Sequence, residues 1–254
     1  MYNYNNLNYS ISHTVEKIIS LGNWCSTKAN INLLLNPSKD WKITVEGHAD
    51  IFDWMCMGDY EYLIKALNNN LQDIFCKEDL IVVDNVTTDH GQAVLINAIY
   101  NLKYKMIWPH LFDKLSDFSL GEDINKINDP EIMKKIYSKF EYLSNKFISA
   151  KDKNVLYIIT FDDHIYIPEV IRPVKPSKET IILLRNALTK IRGNTNFILL
   201  YMTKNQPFYV KENIIFCDNV DSDLFYENKL SSVIKQVICL LKINYDSKAD
   251  SIDK

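Results

Sequence analysis

Cys25 is the residue of this chain best placed to do chemistry. It follows the run Ile18-Ile19-Ser20-Leu21-Gly22-Asn23-Trp24, which passes from an apolar strand through a glycine towards a helix. Val15, Ile18, Ile19 and Leu21 are β-prone, Gly22 permits a tight turn, and helical spacing resumes from Thr27 to Leu35. A helix N-terminus offers unpaired backbone N–H groups and the positive end of the helix dipole, which stabilise a thiolate and pull its pKa below about 8.5. The same geometry holds a phosphate, so the corner reads either as a nucleophile turn or as an anion cradle. Ser20, Gly22, Asn23, Trp24 and Ser26 would line it, with Trp54 as a further wall.

A thiol nucleophile needs a base and an acid to orient that base. His110 is the first candidate, since it follows a β-prone run and Pro109 at a strand-to-loop edge. His164 is the rival, in Phe161-Asp162-Asp163-His164 at the end of an apolar strand, where parallel sheets present ligands. His48 and His90 read as solvated loop residues, and His13 lies in the N-terminal approach. Asp53 stands between Phe52 and Trp54, and a carboxylate in such surroundings must be hydrogen-bonded or shifted in pKa. It would orient the base histidine or, as the plainer reading, cap a backbone turn behind Cys25. Asp162 and Asp163 would suit a divalent cation carrying a diphosphate, though an acidic pair after a strand is more often a turn. Thiol chemistry itself asks for no metal and no cofactor. Cys56, Cys76, Cys217 and Cys239 read as core packing.

These groups must be positioned by the elements around them. Asp59 caps a predicted helix carrying Tyr60, Leu63, Ile64 and Leu67 and ending at Asn68-Asn69-Asn70. Leu80 to Val83 reads as a buried strand, and Ala93 to Trp108 is β-rich. Asp129-Pro130-Glu131 is a helix start, continued by Ile132, Met133, Ile136, Phe140, Leu143 and Phe147. The C-terminal half alternates: strand Val155 to Phe161, helix from the cap Ser177 to Gly193, strands Phe197 to Met202 and Ile214 to Cys217, and a last helix from Phe225 to Leu241. Apolar strands between amphipathic helices predict an α/β fold, a mostly parallel sheet with helices on both faces. We expect one α/β domain over residues 1–254, with lobes at 10–125 and 126–243 if the polar stretch Lys114 to Asp129 hinges it, and a frayed tail at 244–254.

A net charge of −3 gives no electrostatic ground for binding nucleic acid or an anionic membrane. Five widely spaced cysteines without a C-x-x-C pair argue against a disulfide framework or zinc knuckle. With a polar start and no apolar run approaching the roughly 20 residues of a span, the expected location is cytoplasmic.

Ser20-Leu21-Gly22-x-x-Cys25 followed by Phe52-Asp53-Trp54 resembles the papain-like cysteine peptidase family that carries these two motifs. The likeness is strongest from Ile18 to Phe75 and continues weakly through Trp108-Pro109-His110; Ile51 stands where that family usually has proline. The resemblance implies a cysteine hydrolase or acyl-transfer enzyme acting on a peptide or other acyl substrate, with Cys25 as nucleophile. Papain-like folds, however, combine a helical lobe with a mostly antiparallel β lobe, unlike the alternation from Val155 to Leu241. A transferase using a nucleotide sugar and a divalent cation suits that half better, yet neither G-x-G-x-x-G nor G-x-x-x-x-G-K-[ST] occurs. A noncatalytic binding module would leave the corner as packing alone.

Overall fold

The computed structural model describes residues 14–22, 25–36, 49–53, 55–83, 86–87, 93–94, 98–108, 124–161, 174–203, 206–218, 234–235, 237–239 and 244–245. Five strands form the main sheet: β2 (Lys17–Ser20), β9 (Val155–Thr160), β10 (Phe197–Thr203), β11 (Tyr209–Lys211) and β12 (Ile214–Asp218), in the order β11-β12-β10-β9-β2. β2, β9, β10 and β12 run parallel, and β11 pairs antiparallel with β12 as an edge hairpin. β1 (Thr14–Val15) pairs with β13 (Asn244–Tyr245). Asn244 and Tyr245 open the segment expected to fray, and residues 246–254 lie outside the described residues.

Among the described residues stand the helices α1 (Cys25–Leu35), α2 (Tyr60–Asn68), α3 (Pro130–Ser149) and α4 (Lys178–Arg192). Each start signal acts as its residue type allows. Asp59 accepts from Glu61 N–H, Asp129 from the N–H groups of Glu131 and Ile132, and Ser177 from Thr180 N–H. Gly193 ends α4 in the left-handed region at φ 72°. Residues 234–235 and 237–239 are helical and belong to the last predicted helix.

Strand side chains alternate between two cores, as the period of two requires. Ile19, Tyr157, Ile159, Leu199, Tyr201 and Phe216 face α2, α3 and α4, whose Leu63, Phe140, Phe147, Leu184 and Leu188 fill the larger core. Ile18, Leu156, Ile158, Ile198, Leu200 and Ile215 face the other way, against Ile31 of α1 and Ile234 and Val237. Helices thus cover both faces of a mostly parallel sheet, and the chain is an α/β protein.

A second, antiparallel sheet has the order β3-β8-β7-β4, with β3 (Cys56–Met57), β4 (Leu80–Val83), β7 (Ala98–Asn101) and β8 (Met106–Trp108). A small ribbon pairs β5 (Val86–Thr87) with β6 (Ala93–Val94). Leu80 to Val83 is not the buried strand that its apolar run suggests: Leu80 alone is buried, and Ile81 is 40% exposed. It is the edge of an antiparallel sheet, where one face stays solvated. Residues of both sheets share the larger core, and β2 from the N-terminal part of the chain completes the sheet built by residues 155–218.

Candidate functional site

The parallel strands end on one edge in polar residues, Ser20 of β2, Thr160 of β9, Thr203 of β10 and Asp218 of β12. The strands stand in the sheet in the order in which they occur in the chain, so there is no reversal and no switch-point crevice among them. What singles out one place on this edge is the corner after β2. Leu21 N–H still donates to Ile158 C=O at 3.0 Å, extending the β2 ladder by one residue. Gly22 then turns at φ +84°, its N–H donating to Ser20 Oγ at 3.2 Å, and α1 opens at Cys25. The first turn of α1 carries no acidic side chain, so nothing on it neutralises the positive end of the dipole.

Glycine is required at position 22 by both backbone and space. A Cβ built there would lie 2.5 Å from Met55 Cε and 2.9 Å from Met57 Cε, in a conformation L-residues rarely adopt. Gly22→Ala is therefore expected to cost about 1–3 kcal/mol, as strain plus displaced methionine ends. An unchanged melting temperature would contradict this account of the corner.

The start of α1 is held from two sides. Thr27 Oγ1 lies 2.5 Å from Thr160 Oγ1 at the end of β9, and Tyr60 Oη donates to Thr160 C=O at 3.1 Å. Burial pushes the Tyr60 phenol well above its ordinary range, with the neighbouring Tyr201 adding to the effect, so it stays a donor. Lys28 Nζ lies 2.7 Å from Asp53 Oδ2, with the two side chains only 2% and 8% exposed. On the strand side, Lys17 Nζ sits 3.1 Å from Asp50 Oδ2, within ion-pair distance though not aligned as a hydrogen bond.

Asp53 is thus placed as the plainer reading expected, capping a turn. Its Oδ2 accepts Asp50 N–H at 2.8 Å while pairing with Lys28, and Asp53 N–H donates to Asp50 C=O at 3.2 Å. Burial raises the Asp53 pKa; the Lys28 ammonium pulls it back, and the Asp50 carboxylate adds to the rise. Asp53 Oδ1 is buried and accepts no hydrogen bond among the described residues.

The structure therefore brings together Ser20, Gly22, the opening turn of α1 with Cys25 and Ser26, and Asp53. Asn23, Trp24, Trp54, His110, Asp162, Asp163 and His164 lie outside the described residues, as do His13, His48 and His90. Sequence reasoning missed Lys17, Lys28, Asp50, Thr27 and Thr160. The signal was present as charge complementarity: a lysine inside the β-prone run of β2, another inside α1, and two aspartates three residues apart.

Two of the remaining cysteines depart from the expected core packing. Cys56 and Cys217 are buried, but Cys239 is exposed and Cys76 is half-buried. Cys76 Sγ donates to Glu78 Oε2 at 2.7 Å, and this bond to a carboxylate holds the thiol pKa up. Cys76 also lines a cleft of about 380 Å³ between α3 and residues 70–76, which none of the candidate site residues lines. Among the described residues, no cluster of three or more His, Cys, Asp or Glu could hold a metal ion, and no helix is long and apolar enough to cross a membrane.

The fold and its corner define an α/β protein whose first parallel strand delivers a cysteine to the head of a helix. Comparison of the chain with protein-family models, curated proteins and solved structures gives no match.

Proposed function

We propose that the protein is a thiol hydrolase or acyl-transfer enzyme with Cys25 as its nucleophile. The observation that supports this reading is the corner itself: a left-handed glycine ends a parallel strand, and the helix it starts opens on the cysteine. In this reading His110, or in its place His164, takes the proton of Cys25, and the thiolate attacks the carbonyl carbon of a peptide or other acyl substrate as the π electrons move to oxygen. Backbone N–H groups after Gly22 receive that oxyanion. The tetrahedral species collapses to a thioester as the leaving amine or alcohol takes a proton from the base, His110 or in its place His164. Water or an acyl acceptor then cleaves the thioester and restores the thiol. The main sheet is mostly parallel, so "papain-like" describes this chemistry and not the fold.

Alkylation by iodoacetamide tests the reading, with each thiol followed by peptide mass. Exposed Cys239 serves as the reference thiol, Cys56 and Cys217 are shielded, and Cys76 is slowed by Glu78. At pH 6 a Cys25 thiol acidified by the helix head should react about tenfold faster than Cys239, after allowing for the weaker nucleophilicity of a more acidic thiol. Cys25→Ala should abolish acyl-transfer activity and leave the fold intact. Labelling of Cys25 no faster than Cys239 defeats the proposal.

A second reading is favoured by the mostly parallel sheet: a nucleotide-sugar-dependent transferase with its anion at the Gly22–Cys25 turn and its cation on Asp162 and Asp163. It predicts a raised melting temperature with nucleotide sugar and manganese, by binding to the folded state. No shift across the common nucleotide sugars removes it.

A further inference from the structure

The two buried ion pairs have an arrangement that packing alone does not require. Lys17 lies on β2, before the Gly22 corner, and Lys28 lies on α1, after it. Both ammonium groups reach the same short turn, Lys17 to Asp50 and Lys28 to Asp53. That turn is closed by its own bonds, with Asp50 N–H donating to Asp53 Oδ2 and Ile51 N–H to Asp50 Oδ1. Strand and helix are therefore tied to one rigid piece on either side of the glycine that joins them.

Four ionised side chains, none more than 8% exposed, are an expensive way to hold such a joint. The desolvation of each ion costs several kcal/mol, and apolar residues of similar volume often serve stability equally well or better. The set is not even saturated, since Asp53 Oδ1 accepts no hydrogen bond among the described residues. What ion pairs supply and apolar contacts do not is directional geometry. Lys28 stands three residues after Cys25, one helical turn along, so anchoring its ammonium fixes the rotation of the turn on which residue 25 stands.

We propose that Lys28 and Asp53, braced by Lys17 and Asp50, are positioning residues that set the opening turn of α1 for the chemistry of Cys25. The inference rests on the thiol reading given above. It assigns Asp53 to the geometry of the nucleophile, through Lys28, and not to the orientation of a histidine.

The test is the double variant Lys28→Met/Asp53→Leu, compared with the unaltered full chain for its urea midpoint and for the pH profile of Cys25 alkylation by iodoacetamide. The urea midpoint should stay well above that of Lys28→Met alone, although Asp53→Leu also removes the acceptor of Asp50 N–H. Cys25 alkylation at pH 6 should fall about tenfold relative to Cys239, with its pH midpoint moving up to that of an ordinary thiol near 8.5. Lys28→Arg/Asp53→Glu, which keeps both charges, should recover part of that rate. A double variant that folds and keeps the original pH profile overturns the inference while leaving the thiol reading intact. If Cys25 in the unaltered protein labels no faster than Cys239, the thiol reading fails first and takes the inference with it. Lys17→Met/Asp50→Leu gives a second way to loosen the brace. Failure of both double variants to fold would make the ion pairs stability elements, which also overturns the inference.

Discussion

Replacing Lys28 alone by methionine is expected to cost about 3–5 kcal/mol of folding stability at neutral pH, because it leaves Asp53 buried and ionised without its partner. The single and double replacements thus differ sharply: removing one charge exposes the desolvation cost of the other, whereas removing both removes the cost. The pH dependence has a definite sign. The folded-state pKa of Asp53 already lies above its ordinary value, because burial outweighs the pull of Lys28. A raised carboxyl binds its proton more tightly in the folded state, so its contribution is fullest below the unfolded pKa and is lost as pH rises through the folded one. Lys28→Met takes away the ammonium that pulls the value down and drives it further up. The deficit should therefore be full at pH 7.5 and shrink as the pH falls into the acid range, where Asp53 is protonated in both proteins. Urea unfolding at pH 7.5 and pH 5 with an unchanged m-value measures this. An equal deficit at both pH values would mean that lost packing of the Lys28 stem, not stranded charge, sets the effect.

The sequence made the α/β class legible because its strongest signals are local. The continuous apolar runs of β9 and β10, the helical stripe of α3, and caps at Asp59, Asp129 and Ser177 each depend on a few neighbouring residues, and each appears in the structure. The Gly22 corner was legible for the same reason. The clamp beneath it was not, since Lys17, Lys28, Asp50 and Asp53 meet only after the chain has folded. A lysine in a strand reads as a solvated residue until its partner is placed. β11 escaped notice because Tyr209–Lys211 carries too few residues to show a period. The exposure of Ile81 was hidden because an apolar run looks alike in a central strand and at an edge.

Arg192→Met is expected to cause the second large loss, about 2–4 kcal/mol through its lost hydrogen bonds, at the end of the parallel sheet away from Cys25. Arg192 closes α4 and is 2% exposed, with its charge met by carbonyls rather than by any carboxylate among the described residues. One guanidinium nitrogen donates to Lys153 C=O at 2.6 Å and to Lys151 C=O at 3.2 Å, and the other to Tyr157 Oη at 3.1 Å. The guanidinium carbon also lies 5.9 Å from the ring centroid of Tyr157 and 5.8 Å from that of Phe197, where cation and ring quadrupole attract. Methionine fills the volume but donates nothing, so Lys153 C=O and Tyr157 Oη lose this donor, while Lys151 C=O keeps Asn194 Nδ2 at 2.6 Å. Lysine keeps the charge but lacks the planar fork, and should recover only part of the loss. Tyr157 supplies an independent readout. Burial has pushed its phenol up to about 12, against the downward pull of Arg192, so the variant should move that titration higher still. This damage falls where β9 and β10 begin, not where β2 hands over to α1. Arg192→Met should therefore lower the urea midpoint while the pH profile of Cys25 alkylation in the folded protein stays as it was. Loss of fast Cys25 labelling in a still-folded Arg192→Met protein would show that the two ends of the sheet are coupled, and that the corner is not set locally by its clamp.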